Sequence, residues 1–295
     1  MSGTLLDMLG RGARVSRKVG VERLAHILRS ALDVLLVTVR WPPLAAEADG
    51  IRLRGFLRHR SFLAAVASGH YEPFTREVFV CALRSAMLVV DGGAHIGLYT
   101  LLAARWLGVR GKVIAFEPDP YNFLALTLNV PPGGSGAAVD ARPAALADRR
   151  GERGFFSSPG TISGSVVDRP TVGPRRTLRV AVTTLDEELC DLPCETLLVK
   201  LDLEGGELWA LRGMRQTLRR ARSAVLIVEV NPDALRDAGT SSLELLAEIE
   251  RQDLRARFID ETARTLVPVT RTSHIQKGNL YCTKSDASSD PGAVG

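Results

Sequence analysis

Several features are scarce in this chain, and each scarcity narrows what the protein can be. Aromatic residues make up only 5%, too few for the stacking platforms that hold single-stranded nucleic acids, and no nucleic-acid-reading motif is present. Lysine is rare: of 38 basic residues, only Lys18, Lys112, Lys200, Lys277 and Lys284 are not Arg. With abundant Ala, Gly and Val, this bias reflects a GC-rich, bacterial coding genome rather than chemistry. Cysteine occurs four times, and the C-x3-C pair Cys190 and Cys194 has no second Cys or His pair nearby to complete a zinc site. Cys81 and Cys282 stand in apolar contexts as packing residues, and such usage fits a reducing cytoplasm. Long apolar runs are missing as well. The first twenty residues have no apolar signal region. Leu24 to Trp41 is interrupted by Arg29, Asp33 and Arg40, which predicts a buried or interfacial helix rather than a membrane span.

What remains is ordinary globular material: 295 residues, 45% hydrophobic and 24% charged, with a net charge of +5 spread along the chain. The densest basic stretches, Arg215 to Arg222 and Arg52 to Arg60, read as solvated helix faces. The length suits one large α/β domain with an N-terminal addition. Residues 1–45 read as helices ending at Pro42-Pro43. A short strand follows at Ile51 to Phe56, and helices at Arg60 to Ser68 and Arg76 to Ser85.

From Met87 onward, apolar strands alternate with amphipathic helices, the pattern of a parallel sheet. Strands are predicted at Met87 to Val90, Lys112 to Phe116, within Ala137 to Ala145, at Thr196 to Leu201 and at Ala224 to Val230. Two more, at Arg255 to Ile259 and Asn279 to Thr283, complete a doubly wound, mostly parallel, seven-stranded sheet. Gly151 to Arg176 reads as a loop or hairpin insertion, and Thr177 to Thr183 as extended. Residues 86–284 are therefore expected to form the main domain, residues 1–85 an N-terminal helical extension that caps the acceptor site, and residues 285–295 a frayed tail.

Candidate chemistry gathers at the strand ends. Asp91-Gly92-Gly93-Ala94-His95-Ile96-Gly97 follows the first sheet strand, where ligands bind in such folds. Glycines there could simply tighten a turn. Glu117, 26 residues after Asp91 and ending the next strand within Phe116-Glu117-Pro118-Asp119-Pro120, argues for more, because a carboxylate at that point can accept from both hydroxyls of an adenosine ribose. A dinucleotide would favour a GxGxxG run, but His95 adds bulk where a pyrophosphate would approach. Lys200, Asp202, Glu204, Gly205 and Glu207 crowd charge at a third strand end, and Glu229 ends a fourth.

Taken together, D-x-G-A-x-x-G, FEPDP, the Leu-Asp of Thr183 to Leu189, K-x-D-x-E-G-x-E and a strand ending in Glu are similar to the FkbM family of S-adenosyl-L-methionine-dependent methyltransferases, over about Tyr71 to Pro232. Gly69-His70-Tyr71-Glu72-Pro73 resembles a stretch found upstream of that family's first strand. The resemblance implies a cofactor site at Asp91, Gly93, Ala94, His95, Gly97 and Glu117. It also places Pro118, Asp119, Leu146 and Asp148 near the adenine, with Tyr71 and Glu72 approaching from the preceding helix. His95 departs from the family pattern, which more often has Asn.

The implied reaction is methyl transfer to a hydroxyl of a small molecule, such as a sugar or bacterial secondary metabolite, with Asp202, then Glu204, then Glu229 as candidate pocket acids. His70 and His274 are weaker candidates for a base. No metal is expected, although Asp202, Glu204 and Glu229 could gather oxygen ligands. Expected partners are the small acceptor alone or a second copy in a homodimer, with no nucleic acid. Two rivals stand beside this reading: an NAD-dependent oxidoreductase, and a catalytically silent scaffold that keeps the fold.

Overall fold

The computed structural model describes residues 44–130, 136–157, 164–167, 176–270 and 275–284. The helices expected before residue 44, the tail at 285–295, His274 and part of the 151–176 insertion lie outside the described residues.

The described chain opens with a hairpin, β1 (Leu44–Ala48) and β2 (Ile51–Gly55), then α1 (Arg60–Ala67) and α2 (Pro73–Leu83). Asp49 and Gly50 both have positive φ, 51° and 73°. This is the two-residue Asp-Gly turn whose twist matches paired strands. It adds β1 to the single short strand read from sequence.

The main sheet follows: β3 (Leu88–Gly92), α3 (Leu98–Leu107), β4 (Lys112–Phe116), α4 (Pro120–Asn129) and β5 (Ala138–Arg142). The chain then leaves this sheet. Pro143 has no N–H to continue a ladder, and the stretch expected as one strand divides into β5 and β6 (Ala144–Leu146). With β7 (Gly151–Ser157), β8 (Gly164–Ser165) and β9 (Arg176–Thr183), β6 builds a separate sheet in the order β6-β9-β7-β8. The short α5 (Leu185–Glu188) leads back to β10 (Thr196–Leu201), α6 (Glu207–Arg212), α7 (Arg215–Arg220) and β11 (Ser223–Val230). The last elements are α8 (Pro232–Asp237), α9 (Ser242–Arg251), β12 (Leu254–Asp260), β13 (Thr265–Pro268) and β14 (Gly278–Lys284).

The large sheet runs β13-β12-β14-β11-β10-β3-β4-β5, with β11 through β5 parallel and β14 antiparallel to both its neighbours. It has eight strands where seven were expected. The extra one, β13, pairs back on β12 across a turn and forms the edge. Strand order reverses between β3 and β10, so the loops after these two strands part and leave a crevice.

Alternation along the strands sends their residues to two cores. Leu88, Val90, Val199 and Leu226 face the α6, α7 and α9 side. Val89, Val113, Leu198 and Ile227 face a layer that includes α3 and the N-terminal Leu53, Phe62, Val66 and Phe79. Residues 44–85 therefore share a core with the sheet.

Asn129, at the end of α4, fixes this layer to the glycine turn. Its Oδ1 accepts from Arg54 N at 2.8 Å, and its Nδ2 donates to Arg54 O at 2.8 Å and Ile96 O at 2.7 Å. Replacing Asn129 by Leu leaves these groups without partners and is expected to cost about 2 kcal/mol of stability, read as a lower urea midpoint at unchanged m-value.

Candidate active site

Residues from four neighbouring parallel strands meet at the crevice. Gly93 stands at φ 79°, and a Cβ there would lie 1.9 Å from the Asp202 carbonyl oxygen. The Gly93 and Ala94 amides both donate to Phe116 O at 3.0 Å, and the Asp202 amide donates to Gly92 O at 3.0 Å. The loops after β3, β4 and β10 are thereby held in close contact, which only a residue without a side chain permits.

Glu117 lies just past β4 and is 4% exposed. Its Oε1 accepts from Asp119 N and its Oε2 from His95 N, each at 2.8 Å. His95 reaches this position in a left-handed conformation, φ 53°. Burial pushes the Glu117 carboxyl up to about 8, against the pull of those amides and of Asn122. Asn122 Oδ1 is 3.0 Å from His59 Nε2, while His59 Nδ1 accepts from Phe56 N at 3.0 Å. These bonds assign the His59 proton to Nε2. Burial lowers His59 to about 4. It also lowers His95 well below the ordinary imidazole range. The His95 ring stands edge-on to Phe62 and His59, and its Nε2 has no hydrogen-bond partner among the described residues.

The opposite wall is built around Lys200. Its side chain is 1% exposed, on the same strand face as Leu198, and reaches toward α3. Lys200 Nζ donates to Asn279 Oδ1 at 3.2 Å and lies 3.6 Å from Asp202 Oδ2. Asn279 Nδ2 donates to Glu72 Oε1 at 2.7 Å, and Tyr99 OH to Glu72 Oε2 at 2.5 Å. Burial alone would lower the ammonium, but Asp202, Glu72, Glu229 and Asp91 together hold it above its ordinary value. Asp91 accepts from Thr100 Oγ1 at 2.6 Å, and burial pushes it up to about 6. Glu229, at the end of β11, is pushed up to about 10 by burial and by the charges of Asp202, Glu204 and Glu207.

A cavity of about 310 Å³ joins the two walls, within the size range of small-molecule sites. Of the residues singled out in the sequence, Tyr71, Glu72, Asp91, Gly93, Ala94, His95, Glu117, Pro118, Leu146, Asp202, Glu204 and Glu229 line it. Three others lie apart. Gly97 (φ 98°) caps α3 against Leu126. Asp119 is the N-cap of α4, accepting from Tyr121 N and Asn122 N. Asp148 pairs with Arg153 at 2.6 Å.

Glu207, a member of the charged motif, braces the loop before α6 by accepting from Leu203 N and Gly205 N, and burial pushes it up to about 7. His70 is exposed and bonded to Ser68. Sequence reasoning missed Tyr99, Asn122, Lys277 and the small-sheet residues Phe155 and Ser165, all of which line the cavity. Tyr99 and Asn122 lie on the helices directly after the two motifs and were passed over as helix residues, whereas Lys277, Phe155 and Ser165 arrive from distant elements and carry no local signal.

A family model described as the methyltransferase FkbM domain matches residues 91–256. No curated relative matches the chain. Among solved structures, an S-adenosylmethionine-dependent O-methyltransferase from Thermotoga maritima aligns at 12% identity, covering 72% of this chain and 65% of that one, with a TM-score of 0.38. The chain thus spans just under two thirds of that protein's length. A methyltransferase from Aquifex aeolicus aligns at 14% identity over 73% of this chain and 92% of its own, TM-score 0.40. TYW2 from P. horikoshii, in complex with MeSAdo, aligns at 15% over 82% and 70%, TM-score 0.39. The family match carries the functional reading; these likenesses are too distant to add to it.

Two outcomes are expected from this geometry. Gly93→Ala forces a Cβ into the Asp202 carbonyl and should lower the melting temperature by several degrees or prevent folding. Asp91, Glu117 and Glu207 hold protons in the fold at pH values where the unfolded chain has released them. Stability of the ligand-free protein should therefore fall as pH rises from 5 to 8. Thermal melts check the slope, which Glu117→Gln should flatten.

Proposed function

The chain belongs to the FkbM methyltransferase family, whose methyl donor is S-adenosyl-L-methionine, and we propose that it methylates a hydroxyl oxygen of a small molecule such as a sugar or secondary metabolite. The residues present fit this donor. Glu117 is anchored by two backbone amides on the cavity wall and keeps lone pairs for two ribose hydroxyls. Gly93, on the cavity wall, lets the turn after β3 close against the Asp202 carbonyl. Pro118 and Leu146 offer apolar surface for an adenine, and Asp91 and Lys200 offer charge for the amino-acid end. When bound, the sulfonium supplies an electrophilic methyl group for in-line displacement.

The chain's own contribution is orientation, exclusion of water and a proton acceptor. The observation that carries the hydroxyl reading is the convergence of Asp202, Glu204 and Glu229 on the cavity beside the glycine turn. A hydroxyl must give up a proton as it is methylated, and a carboxylate close by can take it. Asp202 is the first candidate. It lies at the strand switch, is partly exposed, and is oriented by Lys200.

Residues 86–284 would then form the donor-binding domain. Phe62 and Tyr71 from the N-terminal segment, with Phe155 and Ser165 from the small sheet, would supply acceptor walls. All four cysteines are free, which suits the cytoplasm. No helix among the described residues is long and apolar enough to cross a membrane.

Calorimetric titration with S-adenosyl-L-methionine and S-adenosylhomocysteine, with NAD as control, tests the donor. Glu117→Ala should weaken donor binding about 10- to 100-fold with an unchanged circular dichroism spectrum. Incubation with labelled donor and a panel of hydroxylated sugars and metabolites, with mass spectrometry of the products, tests the acceptor. Label found only on nitrogen, carbon or carboxylate would sink the hydroxyl assignment.

A further inference from the structure

We propose that Asp202, Glu204 and Glu229 form a binding site for a hard divalent cation, Mg²⁺ or Mn²⁺, at the acceptor end of the cavity. One carboxylate oxygen from each lies within 4.8 Å of the others. The three come from separate places: Asp202 directly after β10, Glu204 in the following turn at φ 53°, and Glu229 at the end of β11. Oxygen ligands of one such cation stand about 2.0–2.1 Å from it, so small side-chain rotations bring the three into range.

Glu229 points to a ligand independently of the clustering. The residue is 7% exposed, it faces the cavity, and its Oε2 has no hydrogen-bond partner among the described residues. A buried carboxylate oxygen with no donor is uncommon and costly. Its other oxygen lies 3.6 Å from the Lys277 ammonium, on a side chain that is 64% exposed, and such a pair is worth little.

The cavity is rich in oxygen donors. Among the described residues, six acids line it (Glu72, Asp91, Glu117, Asp202, Glu204, Glu229) beside two ammoniums, Lys200 and Lys277. Lys200 is engaged with Asn279 and Asp202. The ligand set is all oxygen, with no Cys or His, which selects hard cations over zinc or copper. Three carboxylates leave coordination positions for water and for oxygens of an acceptor.

The cation's role rests on the hydroxyl-acceptor reading; the site itself does not. A hydroxyl bound to the ion loses its proton more readily. That proton passes to Asp202 or water, the oxygen bonds to the methyl carbon, and the carbon–sulfur bond breaks with its electron pair left on sulfur.

The test is a titration of chelator-treated protein with MnCl₂, following free Mn²⁺ by electron paramagnetic resonance with no donor or acceptor present. Saturable binding of one ion per chain below about 1 mM is expected. Glu229→Gln and Glu204→Gln should each weaken it at least tenfold, the surface control Glu187→Gln should not, and Lys277→Met should tighten it by removing a competing cation. Circular dichroism establishes that each variant is folded, and the partly exposed Glu204 keeps the test sound should Glu229→Gln unfold. Absence of bound Mn²⁺, or unchanged binding in the folded Gln variants, overturns the site. Donor calorimetry on the same samples separates the two readings: a protein that binds donor but no Mn²⁺ loses the cation site and remains a methyltransferase.

Discussion

The ammonium of Lys200 is the constraint around which the site is arranged. A charge that is 1% exposed must be compensated where it stands. Compensation comes from every side: Asp202 after the same strand, Asn279 from β14, Glu72 from the link before α2 and Asp91 from β3. Asn279 passes the interaction on to Glu72, which also accepts from Tyr99 of α3. One buried cation thus fixes side chains from five parts of the chain. It also explains how so many acids can share a small cavity.

The parallel strands and the glycine turn were legible because their physics is local. A strand buried on both faces reads as an apolar run, and Asp91, Gly93, Glu117, Asp202 and Glu229 stand where those runs end. The Asp49-Gly50 turn and Pro143 are local signals too, but they went unused: one strand was expected where the hairpin has two, and one where the chain divides into β5 and β6. Asn279 carried no signal, and Tyr99 read as a helix residue. Their meaning depends on Glu72, which is 207 residues from Asn279. Asp119 and Asp148 show the converse: acids beside the motif serve a helix cap and an ion pair.

The cavity divides its labour. Its β4 side presents a carboxylate on backbone amides, flanked by neutral imidazoles and apolar rings. Its β10 and β11 side is dense in charge. The two walls are joined at the contact between Gly93 and Asp202. The small sheet reaches the second wall through Ser165, whose hydroxyl donates to Glu204 O at 2.8 Å. The segment least readable in the sequence therefore touches the loop that carries two of the candidate acids.

The proton on His59 gives the N-terminal segment a reach beyond packing. Phe56 N–H points at Nδ1, so Nε2 must carry hydrogen and point it at Asn122, whose side chain in turn bonds Glu117. The dipoles run one way, from the backbone after β2 to the carboxylate that would receive the ribose. A chain beginning at β3 would retain the motif residues from Asp91 onward and lose the origin of that polarity. The support of Glu117 thus begins at Phe56 and His59, well upstream of the glycine turn at Gly92 and Gly93.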